Sequence, residues 1–160
     1  MKKFFKHILI SIAIVGCLAS CQDQYTICEL SKHVNVRGVF FTKAGNNFIE
    51  TNLNSLSINL LNDPSFIYKD RKNISTFIFG LAPFFTIDSA KYVIKIDNIL
   101  QADTVTIHYT SADVQLTKEC GSIIAHNLIK VTTTNNTLDS VQISSPKIDN
   151  NIRVNLKLFF

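Results

Sequence analysis

From Val34 onward, apolar and polar residues alternate along most of the chain. The alternation is clearest in segments 55–60, 91–96 and 152–158, where Leu, Ile, Val or Tyr occupies every second position. Successive side chains of a β-strand point to opposite faces of its sheet. Each of these segments therefore predicts a strand that buries one face.

Five other segments rich in Val, Ile, Thr and Phe predict further strands. They are 33–42, 75–81, 104–110, 123–134 and 138–143. Clusters of Gly, Asn, Asp, Thr or Pro lie between strands at 44–47, 61–64, 101–103 and 134–137, where they predict turns. The pattern as a whole predicts about eight short strands.

Strands with one apolar face, short turns and no helical periodicity are typical of antiparallel sheets packed face to face. The predicted fold is therefore an all-β, antiparallel two-sheet sandwich, of the immunoglobulin-like or transthyretin-like kind. A small eight-stranded barrel is the alternative. No repeat and no long Pro, Gly or Ser tract divides residues 27–160, so we expect them to form one domain.

The N-terminus has the order of a secretory signal: a basic head, an apolar middle and a small-residue exit. Its apolar part, residues 8–18, is eleven residues long. At about 1.5 Å per residue, a helix of this length covers about half of a bilayer core. The sequence Leu18-Ala19-Ser20-Cys21 looks like a lipobox. We therefore predict that residues 1–20 are removed, that Cys21 is lipidated, and that 21–26 form a short tether to the lipid bilayer.

Processing at this position changes the charge of the chain. Loss of Lys2, Lys3 and Lys6 lowers sixteen basic residues to thirteen, against twelve acidic ones, so the net charge falls from +4 to +1. The remaining basic residues are scattered, apart from the run 69–72, which an acid interrupts. We therefore expect no nucleic acid partner.

Four cysteines are present, and the signal accounts for two of them. Cys17 lies in the removed segment and Cys21 is acylated, which leaves Cys28 and Cys120 as a pair in an exported chain. Because exported proteins meet an oxidising environment, we predict a disulfide between these two. The chain-entropy model gives such a bridge roughly 4 to 5 kcal/mol, as an upper figure.

Metal binding is the alternative use of these cysteines. Cys28 and Cys120 lack the paired spacing of a zinc site, and His33, His108 and His126 are spread singly along the chain. We expect no metal and no cofactor.

Segment 77–85 is unusually apolar and aromatic. One interpretation is a strand with its turn, buried on both faces. The other is an exposed patch for a protein partner, formed by Phe77, Phe79, Phe84 and Phe85. Large exposed apolar patches are uncommon on monomers, which favours the buried strand.

Several short motifs together resemble a known family. They are the lipobox at 18–21, the early cysteine in Tyr25-Thr26-Ile27-Cys28, the strand 104–109 and the late Glu119-Cys120-Gly121. With the β-rich middle, they make the chain similar to a family of small uncharacterised lipoproteins from Bacteroidota. The resemblance covers essentially the whole chain and supports the disulfide and the fold. The family has no assigned activity, so the resemblance implies none.

The same resemblance suggests O-glycosylation of exported Asp-Ser/Thr-apolar triplets. Three triplets fit, at 88–90, 103–105 and 139–141, with Ser89, Thr104 and Ser140 as the acceptors. The alternative is ordinary strand chemistry, in which Asp ends a turn and the alternation then begins.

No nucleophile with a base, paired carboxylates or Gly-rich phosphate loop can be recognised in the sequence, so we expect no enzyme activity. The leading prediction is a non-catalytic envelope module that contacts another envelope protein. The alternative is a carrier of a small ligand or glycan, which an enclosed cavity would favour. Gln22 after the lipidated cysteine predicts release to the outer membrane, and the single acid in residues 22–24, where surface display is often signalled by several, predicts its periplasmic face.

Overall fold

The computed structural model of the chain describes residue 28 and residues 30–83, 88–97 and 99–160. The predicted signal and tether, residues 1–26, lie outside these ranges. Within them, the regular structure consists of strands in two sheets, which confirms the all-β prediction. None of the described residues belongs to a helix long and apolar enough to cross a membrane.

Eleven strands are present in the described ranges. They are β1 Val36–Ala44, β2 Asn47–Glu50, β3 Leu56–Leu60, β4 Phe66–Arg71, β5 Thr76–Phe79, β6 Asp88–Ile96, β7 Asp103–Thr117, β8 Gly121–Thr132, β9 Ser140–Ile143, β10 Lys147–Ile148 and β11 Leu156–Phe159. The strand count is higher than the predicted eight because β2, β4 and β10 give no clear alternation in the sequence.

The first sheet has the order β2-β1-β11-β9, and β5 pairs with the first half of β1. The second sheet has the order β10-β8-β7-β6-β3-β4. All strand pairs are antiparallel except β1 and β11, which run parallel from Gly38 beside Leu156 to Phe41 beside Phe159. The prediction of purely antiparallel sheets is therefore wrong for this pair. The chain reaches β11 from β10 in the other sheet and not through a hairpin, so a parallel direction is allowed.

The core lies between the sheets and is filled by large apolar side chains. Phe40 and Phe77 of the first sheet face Tyr92 and Tyr109 of the second, and all four are almost completely buried. Gly38 lies directly opposite Phe77 in the sheet. A Cβ atom at position 38 would overlap the Phe77 ring, so glycine is required there. The buried apolar residues of the two sheets thus form one packed cluster.

The alternation predicts two of the three clearest strands correctly. Segments 55–60 and 91–96 match β3 and β6, with Leu56 and Ile94 buried as expected, although Leu60 at the end of β3 is 40% exposed. The prediction for 152–158 is wrong in its first half, because the strand begins only at Leu156 and Ile152 is 83% exposed. Asp149 holds the preceding residues in a loop: it accepts the N–H of Asn151 and pairs with the Arg153 side chain.

Candidate functional site

A disulfide joins Cys28 to Cys120, with their Cα atoms 5.0 Å apart. Cys120 lies in the turn between β7 and β8, where its N–H donates to Thr117 Oγ1 at 3.0 Å. Gly121 follows with a φ of 70°, a left-handed conformation that favours glycine. The bridge predicted from the cysteine count is thus present, and it attaches the start of the described chain to the tip of the β7–β8 hairpin.

A polar cleft of about 290 Å³ begins three residues after this bridge. One wall is the segment that leads into β1, and the other is the loop between β10 and β11. The lining residues are Ser31, His33, Asn35, Arg37, Ile78, Asp149, Asn150, Asn151, Ile152 and Arg153. We call this feature the tether-side cleft, because it adjoins the residues that follow the proposed tether.

Asp149 is the buried acid of the tether-side cleft, with only 6% of its side chain exposed. It forms ion pairs with Lys147 Nζ at 3.3 Å and with Arg153 Nη2 at 3.2 Å, and it accepts the Asn151 N–H at 2.9 Å. Burial disfavours its charge, but the hydrogen bonds from Asn151 and Lys147 and the charge of Arg153 outweigh that effect. The pKa of Asp149 is therefore below its ordinary value.

Arg37 is the second cation of this cleft, and its backbone is fixed on both sides. Its N–H donates to Asn155 Oδ1 at 3.1 Å, and its carbonyl accepts the Asn155 N–H at 2.8 Å. It lies opposite Ile78 of β5, and both side chains line the cleft. Within the described ranges, no acceptor contacts the half-buried Arg37 guanidinium and no carboxylate pairs with it.

A second buried acid, Asp103, lies at the start of β7 and is 1% exposed. Its carboxylate accepts the backbone N–H groups of Asn136, Thr137 and Leu138 at 2.7 to 2.8 Å. The Thr134 hydroxyl adds a fourth hydrogen bond at 2.8 Å. Burial opposes the charge, but these four donors outweigh it and lower the pKa of Asp103. We call Asp103 and residues 134–138 the Asp103 loop.

A hydroxyl and an imidazole meet inside the second sheet. Ser111 Oγ lies 2.8 Å from His126 Nδ1, and both residues are buried. Burial lowers the pKa of His126, which favours the neutral ring. A hydrolytic triad also needs an acid that orients the imidazole. In the part of the chain that the structure describes, no carboxylate is hydrogen-bonded to His126. Sequence reasoning missed this pair, although the β7–β8 register places the two residues opposite each other.

The favoured interpretation of a buried strand is confirmed at Phe77 and Phe79, and the alternative of an exposed patch is wrong there, but Ile78 is 37% exposed, so the strand is not buried on both faces. Both rings are buried, where they stack on each other with centroids 5.5 Å apart, and Phe79 also stacks on Tyr92. Packing between the sheets explains why this run is so apolar. Phe84 and Phe85, the other two predicted patch residues, lie outside the described residues.

The three predicted glycosylation acceptors lie on different strands, and all are half-buried. Thr104 follows the buried Asp103, so the acid of its triplet is committed to the Asp103 loop. Ser140 is on the edge strand β9, after the exposed Asp139. Ser89 is on β6. Glycosylation of these residues stays a prediction.

The three histidines within the described ranges occupy different parts of the structure. His33 is exposed in the tether-side cleft, His108 is half-buried on β7, and His126 is buried. Across the described ranges, no three His, Cys, Asp or Glu side chains come together as a metal ion would require. Cys21, the predicted lipid attachment site, lies outside these ranges.

Comparison with protein-family models gives a match over the larger part of the chain. Residues 54–160 fit the model described as "Family of unknown function (DUF6452)". This region runs from the start of β3 to the end of β11 and includes Cys120 and Asp149, while Cys28 and Arg37 precede it. No curated protein and no solved structure matches the chain. Because the family model covers more than half of its residues, the chain belongs to this family of unknown function.

Proposed function

We propose that the chain is a lipid-anchored protein of the bacterial cell envelope, and that its β-sandwich acts as a non-catalytic binding module. The observation that carries the proposal is the Cys28–Cys120 disulfide. Disulfides persist in exported proteins and are rare in the reducing cytosol. A secretory signal with a lipobox at residues 18–21 supplies both the export route and the anchor that such a bridge fits.

We infer from the disulfide which end of the domain would face the bilayer if Cys21 carries the lipid. Cys28 follows Cys21 by seven residues, which span at most roughly 25 Å when extended. The tip of the β7–β8 hairpin, and with it the tether-side cleft, is therefore held near the membrane. The loop before β7, where Leu100 is 95% exposed, lies at the opposite end of that fifteen-residue strand and faces away.

A binding module fits the packing better than a carrier that encloses its ligand. Side chains such as Phe40, Phe77 and Tyr109 fill the space between the sheets. A carrier of a small ligand or glycan would need an enclosed cavity in that place. Polar side chains are available at the surface, among them those that line the tether-side cleft. We propose an envelope component as the partner.

Lipid attachment is tested by metabolic labelling with an alkyne analogue of palmitate. The wild-type chain and the Cys17→Ala control should both be labelled and sediment with membranes. Cys21→Ala should be neither labelled nor retained on membranes. Labelling of Cys21→Ala equal to that of the wild type would overturn the proposal, because the lipid would then be attached elsewhere.

The membrane face is tested by protease treatment of intact and lysed cells, followed by immunoblotting. On the proposed periplasmic face of the outer membrane, the mature chain is degraded only after lysis. Degradation in intact cells would overturn the placement on the periplasmic face. It would not contradict lipid attachment, because the labelling experiment measures that separately.

A further inference from the structure

We propose that the tether-side cleft is a binding site for a phosphate group, with Arg37 as the residue that binds it. The inference gives the proposed binding module a ligand class, and in that sense it rests on the proposed function. The phosphate belongs either to a lipid head group or to a free phosphate compound, since both present the same chemistry to the cleft.

The charges that line the cleft leave one cation without a partner. Asp149 is balanced by Lys147 and Arg153, which both contact it. Arg37 is half-buried, and its guanidinium has no ion-pair or hydrogen-bond partner in the described ranges. A guanidinium carries five N–H donors in a planar fork that fits a phosphate with two parallel hydrogen bonds. An oxyanion in the cleft would supply the acceptor that Arg37 lacks.

The neutral groups of the cleft favour the same class of ligand. The uncharged polar residues that line it are Ser31, His33, Asn35, Asn150 and Asn151. Each of these side chains carries an N–H or O–H group that can donate to a phosphate oxygen.

The size and place of the cleft agree with a head group or a small phosphate compound. Its volume of about 290 Å³ is at the lower end of ligand pockets, so it accommodates one polar group rather than a large molecule. It begins three residues after the disulfide that follows the tether. A lipid-anchored chain would hold it close to the phosphates of the bilayer.

Calorimetric titration of the purified full chain, in a neutral detergent, with inorganic phosphate tests this site. A parallel titration with sodium chloride at equal ionic strength measures nonspecific screening. Wild type should bind phosphate saturably, and Arg37→Gln should bind at least about tenfold more weakly. Arg71→Gln is the matched control, because Arg71 is exposed on β4 and takes no part in the cleft. It should retain wild-type affinity within about twofold.

A second pair of variants makes the test independent of any folding defect in Arg37→Gln. Ile152 lines the cleft and is 83% exposed, while Leu100 is 95% exposed and lies at the other end of the domain. Ile152→Glu places a carboxylate beside the phosphate and should weaken binding at least about tenfold through like-charge repulsion. Leu100→Glu adds the same charge elsewhere and should leave the affinity unchanged.

Absence of saturable phosphate binding, or equal affinities for wild type, Arg37→Gln and Ile152→Glu, would overturn the proposal of a phosphate site.

A further titration in micelles doped with phosphatidylglycerol identifies the source of the phosphate group. Competition by this lipid assigns the site to a head group, and binding of phosphate without competition assigns it to a free phosphate compound. Cys21→Ala should bind phosphate as the wild type does, so a failure of the lipid anchor and a failure of the cleft can be told apart.

Discussion

The Asp103 loop and the tether-side cleft are both built around an almost fully buried aspartate, yet they use its charge in different ways. Asp103 is bound by three consecutive backbone N–H groups and by two threonine hydroxyls, at 2.8 Å from Thr134 and 3.4 Å from Thr133. Asp149 is bound by one backbone N–H and two cationic side chains, and a third cation, Arg37, stays unpaired beside it. The backbone donors around Asp103 satisfy its carboxylate and serve the fold. In the tether-side cleft, the positive charge of Arg37 is not balanced by a carboxylate and can bind an anionic ligand.

Removal of the Asp103 carboxylate should have the largest effect on stability. Asp103→Ala leaves three backbone N–H groups of the Asp103 loop without their acceptor, and a buried unsatisfied donor costs about 1 to 3 kcal/mol. We expect the free energy of unfolding to fall by about 3 kcal/mol or more, as measured by urea denaturation. Asp139→Ala, at an exposed position, is the control and should change it by less than about 0.5 kcal/mol. If Asp103→Ala changed the free energy of unfolding as little as the control does, the Asp103 loop would not be the structural site that the comparison with the cleft requires.

Neutralisation of Asp149 should have a smaller effect on stability and a positive effect on binding. Asp149→Asn keeps the shape of the side chain but weakens its contacts with Lys147 and Arg153. Because both cations remain partly in solvent, we expect a loss of about 1 to 2 kcal/mol. Arg153 is also released, so inorganic phosphate should bind several-fold more tightly than to the wild type. Weaker phosphate binding by this variant would contradict the idea that Asp149 only balances charge.

Acid should act on both sites in the same direction. The pKa values of Asp103 and Asp149 are lowered in the folded state, so the unfolded chain takes up protons first as the pH falls past about 4. The stability that these carboxylates contribute is present above that pH and is lost as the pH falls through their folded pKa values. Urea denaturation between pH 5 and pH 2 should show this loss. Asp103→Asn should reduce the acid-induced fall in the free energy of unfolding by more than Asp149→Asn does. A larger reduction by Asp149→Asn would contradict the expectation that Asp103 contributes more to stability.

Removal of the Arg37 charge should have the smallest effect on stability. No described group pairs with the guanidinium, so Arg37→Gln removes no ion pair and should change the free energy of unfolding by less than about 0.5 kcal/mol. Its effect should be confined to phosphate affinity. A loss of stability similar to that of Asp103→Ala would show that Arg37 is a structural residue rather than a ligand-binding one.

Much of the fold could be predicted because its central strands bury one face. Leu56, Ile58, Tyr92 and Ile94 alternate with polar residues in the sequence and are buried in the structure. The edge strand Asn47–Glu50 was missed because all four of its residues are exposed, so burial imposes no pattern on it. Residues 152–155 gave the opposite error, since an alternation there belongs to a loop held by Asp149.

The tether-side cleft was harder to predict than the fold. Arg37 and Asp149 are 112 positions apart and come together only because β1 and β11 lie side by side, through the contacts of Asn155 with Arg37. One part of the cleft is visible in the sequence. Asp149 and Arg153 are four residues apart, with two asparagines between them. That spacing predicts a polar loop, but only the folded chain shows which cation is left unpaired.

The most direct test of the account is the intact mass of the protein extracted from membranes, before and after reduction. The account predicts a chain that begins at a lipidated Cys21, with a gain of two hydrogens on reduction as the Cys28–Cys120 bridge opens. Additional sugar mass would reveal glycosylation at residues such as Ser140. A chain that retains Met1, carries no lipid and gains no mass on reduction would contradict an exported, lipid-anchored and disulfide-bonded module.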